Sequence, residues 1–182
     1  MRWERLFADL EARLEAEERV SAAGDIADLV RAEHGQLAVR DRLRAHLDAE
    51  LTWSFVSGDV PVAGRLIDVG ADWVLVHTAT GEMLIPIPAV QCITGLSRQA
   101  APDPGEVARR LGIRVVLRGL ARDRAVVSVW LGGDQWLSGT IDRVGADHVD
   151  LAVHPQDESR RARAVLEVRC VLLPAVLGIA VR

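Results

Sequence analysis

Arg110, Arg114, Arg118 and Arg122 recur every four residues, and Arg40 and Arg44 repeat that spacing earlier in the chain. On a helix, four-residue spacing lines guanidinium groups along one face. Such a row could contact phosphates, each contact adding to an affinity that falls steeply with salt. It could equally meet an acidic protein partner, or be a solvated face held by local pairs such as Glu106 with Arg110. Trp136, beside the Gly133-Asp134 turn, is the aromatic to test for exposure and for stacking on a base, whereas Trp53, Trp73 and Trp130 read as core. These six arginines and Trp136 are the candidate nucleic-acid or partner-binding residues.

Other side chains suggest less. Asp72 and Asp147 recur at the same turn, where they would serve as ligands or base readers, or else cap turn amides as aspartate commonly does. His34, His46, His77, His148 and His154 show no metal-ligand spacing, so no metal and no cofactor is expected. Cys92 and Cys170 are flanked by aliphatics and read as small buried hydrophobes in equivalent last strands. No motif supplies a base that would make either a nucleophile. The glycines stand singly, and with no lysine in the chain there is no Gly-Lys-Ser/Thr phosphate loop. A Gly-x-Ser-x-Gly elbow is also missing. The chain therefore reads as non-enzymatic, although an acid–base pair assembled in space leaves no sequence signature.

Of the 182 residues, 49% are apolar and 26% charged, a globular composition. The net charge of -4 argues against general binding to nucleic acid. Its distribution is uneven: residues 1–50 carry -4, whereas residues 97–124 carry +4. Two cysteines are too few for a disulfide framework. No apolar run approaches the roughly 20 residues that span a bilayer. Met1 to Glu18 is charged throughout and lacks the apolar core of a secretory signal, so no membrane partner and a cytoplasmic location are expected.

What positions these residues is a repeat. At an offset of 75, Gly58-Asp59 meets Gly133-Asp134, Gly64 meets Gly139, and Val69-Gly70-Ala71-Asp72 meets Val144-Gly145-Ala146-Asp147. Gly-Asp is hairpin-turn chemistry, and a glycine inside a strand marks a bend or a close backbone approach. Upstream the offset is 74, with Val39-Arg40 meeting Ile113-Arg114 and Leu43-Arg44 meeting Leu117-Arg118. Downstream an offset of 78 pairs Val90 and Cys92 with Val168 and Cys170, the added length falling in a polar loop over His154–Arg163. Each unit reads as a helix and about five strands. Ile113, Val116, Leu117 and Leu120 follow the spacing of one helical face, with Arg114, Arg118 and Arg122 opposite. The strands of the first unit are expected at Leu51–Ser57, Val60–Asp68, Trp73–Thr78, Met83–Ile87 and Val90–Leu96.

A helical segment at 1–35 precedes the first unit, with Trp3, Leu6, Phe7, Leu10 and Leu14 on one face. It would pack within the molecule or zip to a partner helix. The expected organisation is this segment, a first unit at 36–97, and a linker, helix and second unit at 98–182.

A helix followed by five short, strongly bent strands resembles the Sm-like (LSm) fold, a small SH3-like barrel. Gly64-Arg65-Leu66 leading to Val69, and Gly139-Thr140-Ile141 leading to Val144, are similar to that family's Gly-any-aliphatic strand and following turn. Ile93-Thr94-Gly95 is similar to its aliphatic-Arg-Gly. The family's turn aspartate falls on Gly70 and Gly145, and its RNA-contacting asparagine on Val74 and Val149. The resemblance implies a mainly β fold with helices (α+β): two tandem five-stranded barrels, each preceded by a helix, plus the N-terminal helix. It also implies a binding module, an RNA-associated or transcription-related adaptor; the acidic net charge and the missing asparagine favour the alternative, a protein–protein assembly module without nucleic acid. Partners would then be RNA, another protein, or further copies joined through edge strands and the N-terminal helix.

Overall fold

The computed structural model describes residues 37–101, 112–155 and 165–181. The N-terminal segment expected at 1–35 and the candidate Arg110 lie outside the described residues. Contacts separate Met1–Ala38 from Val39–Arg182, and the latter part carries both repeat units.

This part opens with a short helix, α1 (Val39–Arg44), whose Leu43 is buried. Five strands follow: β1 (Glu50–Phe55), β2 (Val62–Val69), β3 (Trp73–Thr78), β4 (Gly81–Pro86) and, after a single 3-10 turn at Ile87–Ala89, β5 (Val90–Thr94). A second helix, α2 (Ile113–Arg122), precedes β6 (Val126–Trp130), β7 (Trp136–Val144), β8 (His148–Val153), β9 (Glu167–Leu172), a 3-10 turn at Leu173–Ala175, and β10 (Gly178–Val181).

Local sequence explains most of these elements. β1 alternates, turning Leu51, Trp53 and Phe55 inward. α2 buries Ile113 and Leu117, lays Val116 and Leu120 against the same core, and exposes Arg114, Arg118 and Arg122. The segment is helical because Ile113, Val116, Leu117 and Leu120 fall on one face only at helical spacing, and that face packs on β7. Both units carry a bulge at the same place, between Leu66 and Asp68 in β2 and between Ile141 and Arg143 in β7. A bulge bends and twists its strand locally. Gly64 and Gly139 share one environment: a Cβ on Gly64 would lie 2.5 Å from the His77 carbonyl oxygen, and one on Gly139 would collide with that of Ala152.

The strands do not close into two barrels. They form one open, antiparallel ten-stranded sheet in the order β5-β1-β2-β3-β4-β10-β6-β7-β8-β9. The expectation of two tandem five-stranded Sm-like barrels is therefore corrected, and the joint responsible is β4 on β10. Leu84 pairs with Ile179 and Met83 with Ala180, so the first set of strands runs directly into the second. The cores are shared in the same way. Trp130 and Leu177, from the second set, sit in the first hydrophobic cluster, and Trp73 and Leu84, from the first, sit in the second. Phe55 meets Trp130 edge-on at 4.9 Å, and the Asp59 carboxylate accepts a hydrogen bond from the Gly133 backbone N–H. The two Gly-Asp turns that mark the repeat thus touch each other.

The end of the repeat also needs correction. The counterpart of Pro88-Ala89-Val90 is Pro174-Ala175-Val176, at an offset of 86 and not 78. β9 corresponds to β4: each pairs with the third strand of its set and leads into the 3-10 turn. β10 corresponds to β5: each leaves that turn and pairs with the first strand of its set. Cys92 and Cys170 are therefore not equivalent, and both are exposed, not buried. Side chains alternate faces along a strand, so Val171 is buried while its neighbour Cys170 points to the open face. Among the described residues no helix is long and apolar enough to cross a membrane.

Candidate functional site

Three features stand out on this sheet: a cleft where the two sets of strands meet, a helix face rich in arginine, and two free strand edges.

The cleft holds about 340 Å³ and lies between the two 3-10 turns. Repeat-equivalent residues build it: Pro88 and Pro174 from the turns, and Asp72 and Asp147 from the loops before β3 and β8. Its floor is apolar, with Ile113 and Val176, and Arg114 stands among the lining residues. The two aspartates have diverged. Asp72 Oδ1 accepts the Ile113 backbone N–H at 2.7 Å and so caps the start of α2. Asp147 Oδ1 meets His148 Nδ1 at 2.8 Å, and that hydrogen bond holds the Asp147 carboxyl below the usual carboxylate range.

The candidate arginines separate into two groups. Arg44 is nearly buried, 3.1 Å from Asp41 Oδ1, and Arg40 Nε lies 3.8 Å from the same oxygen. These two are held against their own helix. Arg114, Arg118 and Arg122 are exposed on α2. Arg114 Nη1 reaches the Ala146 carbonyl at 3.4 Å, and Arg122 pairs with Asp123 at 3.0 Å. Trp136 is 44% exposed and stacks on Trp130, with ring centroids 5.8 Å apart. It does not line the cleft, so the structure brings Arg114 to the cleft but not Trp136.

The edges are β5 and β9, and neither has a second partner strand among the described residues. β5 carries no charged residue, and Val168 and Leu172 of β9 are exposed apolar residues. Each edge borders a shallow groove, one of about 340 Å³ involving Ile87, Ile93 and Leu96, the other of about 270 Å³ involving Leu131, Leu137 and Leu172.

One juxtaposition was not legible in the sequence. His148 and Asp150 are two apart on β8, and β9 places Cys170 directly opposite Asp150. Ligand atoms of the three lie within 4.8 Å of one another, so they could hold a metal ion. The alternation of His148 and Asp150 was readable, but the cysteine joins them only through a strand register that the long loop before β9 obscures.

No family model, curated protein or solved structure matches the chain.

Proposed function

We propose that the protein is a non-enzymatic assembly module that joins copies of itself head to tail through its two free sheet edges. The observation that carries this reading is which strands those edges are. β4 and β10 pair inside the chain, and the free edges are their repeat counterparts, β9 for β4 and β5 for β10. The chain presents at its two ends the halves of a contact it already makes once. At the internal joint Met83, Leu84 and Ile179 are buried. In the same places on the free edges stand Arg169 and Cys170, both exposed, and Ile93, half-exposed. Unpaired strand edges are templates for further pairing; β5 carries neither charge nor proline, and on β9 Glu167 and Arg169 pair with each other beside the exposed Val168 and Leu172. A contact between two different edges is heterologous, and it closes a ring or runs on as a filament.

Light scattering on the purified full chain tests this. Assembly predicts a mass several times the 19.8 kDa of one chain, falling on dilution, with protein-only absorbance. A single-chain mass at every concentration overturns it. A cytoplasmic location belongs to the same reading and is supported by two exposed, unpaired cysteines, which suit a reducing compartment.

A second reading is an RNA-associated or transcription-related adaptor of the kind the Sm-like resemblance implies. The exposed row of Arg114, Arg118 and Arg122, with Arg114 at the cleft, favours it. It predicts co-purifying nucleic acid and an affinity for RNA that falls steeply with salt. Arg114→Glu with Arg118→Glu would abolish that affinity; unchanged binding removes this site.

A further inference from the structure

His148, Asp150 and Cys170 lie on one face of the β8–β9 pair. Residues two apart on a strand share a face, and directly opposed residues on neighbouring strands have Cβ atoms about 5 Å apart. His148 and Asp150 meet the first condition, and Asp150 with Cys170 the second. One imidazole nitrogen, one carboxylate oxygen and one sulfur thereby fall within 4.8 Å of each other. Ligand atoms around a tetrahedral zinc, with bonds of roughly 2.0–2.3 Å, stand about 3.5 Å apart. Side-chain rotations moving each atom by about an ångström close that gap, and the three side chains are exposed or half-exposed and so have room to turn.

The chemistry of the set selects the ion. Magnesium and calcium take all-oxygen shells, whereas thiolate with imidazole suits a borderline-soft ion. The histidine is also already held in place. Asp147 Oδ1 accepts from His148 Nδ1 at 2.8 Å, which sets the ring's orientation and leaves the other nitrogen to bind. A carboxylate behind a ligating histidine is the usual outer support of a zinc site. Gly145 lies under the same ring, where any Cβ would collide with it. In the first unit Trp73, Leu75 and Leu84 occupy the repeat-equivalent places, so the donor set belongs to the second unit alone.

We propose that His148, Asp150 and Cys170 bind a zinc-type divalent ion, with Asp147 as the positioning residue of the histidine and the fourth coordination place open. The proposal does not depend on assembly, because all three ligands come from one chain.

Cobalt(II), added to the reduced full chain, is the probe. Binding predicts a thiolate-to-cobalt charge-transfer band in the near ultraviolet with visible bands of tetrahedral intensity, all bleached by added zinc. Cys170→Ser removes the charge-transfer band, whereas Cys92→Ser, at the other free edge, leaves it unchanged. Asp150→Asn and His148→Ala each weaken cobalt binding, and Asp147→Ala lowers affinity by about 10–100-fold. Circular dichroism matching the parent shows that each variant is folded. Absence of the band in the parent chain, its persistence in folded Cys170→Ser, or its equal loss in Cys92→Ser overturns the proposal.

Discussion

Asp72 and Ile113 stand 41 positions apart, yet the carboxylate of one accepts the backbone N–H of the other at 2.7 Å. Ile113 is the first residue of α2, and the residue before it, Gly112, makes no side-chain cap of its own. The turn before β3 therefore supplies the cap for a helix of the second unit. Asp72→Ala should destabilise the fold by about 1 kcal/mol, the usual cost of a lost cap, and Asp72→Asn by less. Asp147→Ala, whose exposed carboxylate meets a half-exposed histidine, should cost less than Asp72→Ala. Urea midpoints at constant m-value measure the difference.

Gly64 and Gly139 lie where a neighbouring strand's carbonyl leaves no room for a Cβ. Gly64→Ala and Gly139→Ala should each destabilise by about 1–3 kcal/mol, the range for overpacking. Similar losses at both positions would show that both bends are sterically required. A neutral result at either, read from denaturant unfolding, would contradict the shared environment.

Asp59 joins the two Gly-Asp turns through the Gly133 N–H. Its carboxyl is held below the ordinary aspartate range, first by the Ser57 side chain and then by that N–H. A group whose pKa is depressed on folding contributes stability that is present above its unfolded value and lost as pH falls through its folded value. The contribution of Asp59 should therefore be complete above about pH 4 and vanish below it. Asp59→Asn should remove that part of the acid sensitivity, as thermal midpoints across pH 2–5 would record.

If β9 of one copy pairs with β5 of the next in the register of the internal joint, Leu84 with Ile179 becomes Cys170 with Ile93. Ile93→Cys in a Cys92→Ser background should then form an intermolecular disulfide with the native Cys170 under mild oxidation. Non-reducing gels should show a ladder of chain multiples, and further substitution of Cys170→Ser should abolish it. Failure to cross-link in a chain that light scattering shows to be multimeric would reject this register.

Arg114, Arg118 and Arg122 were readable as one exposed face, because their spacing depends only on helical geometry. Arg40 and Arg44 share that spacing but not that fate. Asp41, an acid on the same short helix, holds both, and its presence is not a matter of period. The strands of the first unit were readable within a few residues from turn glycines and alternation. The last two strands of the second unit were not, because the offset across that loop reaches 86 and the matching signal, Pro174-Ala175-Val176, is only three residues long.

The amino-acid sequence alone determined the duplication, its bends at Gly64 and Gly139, and the arginine face of α2, since all are set by residues near one another in the chain. Only the tertiary structure decided that β4 pairs with β10, that the two cores exchange Trp73 and Trp130, and that Cys170 faces Asp150. Those features depend on which strand edges meet. A strand's unpaired N–H and C=O groups are nearly alike from one sequence to the next, so the choice between closing on itself and joining a neighbour is made by long-range packing.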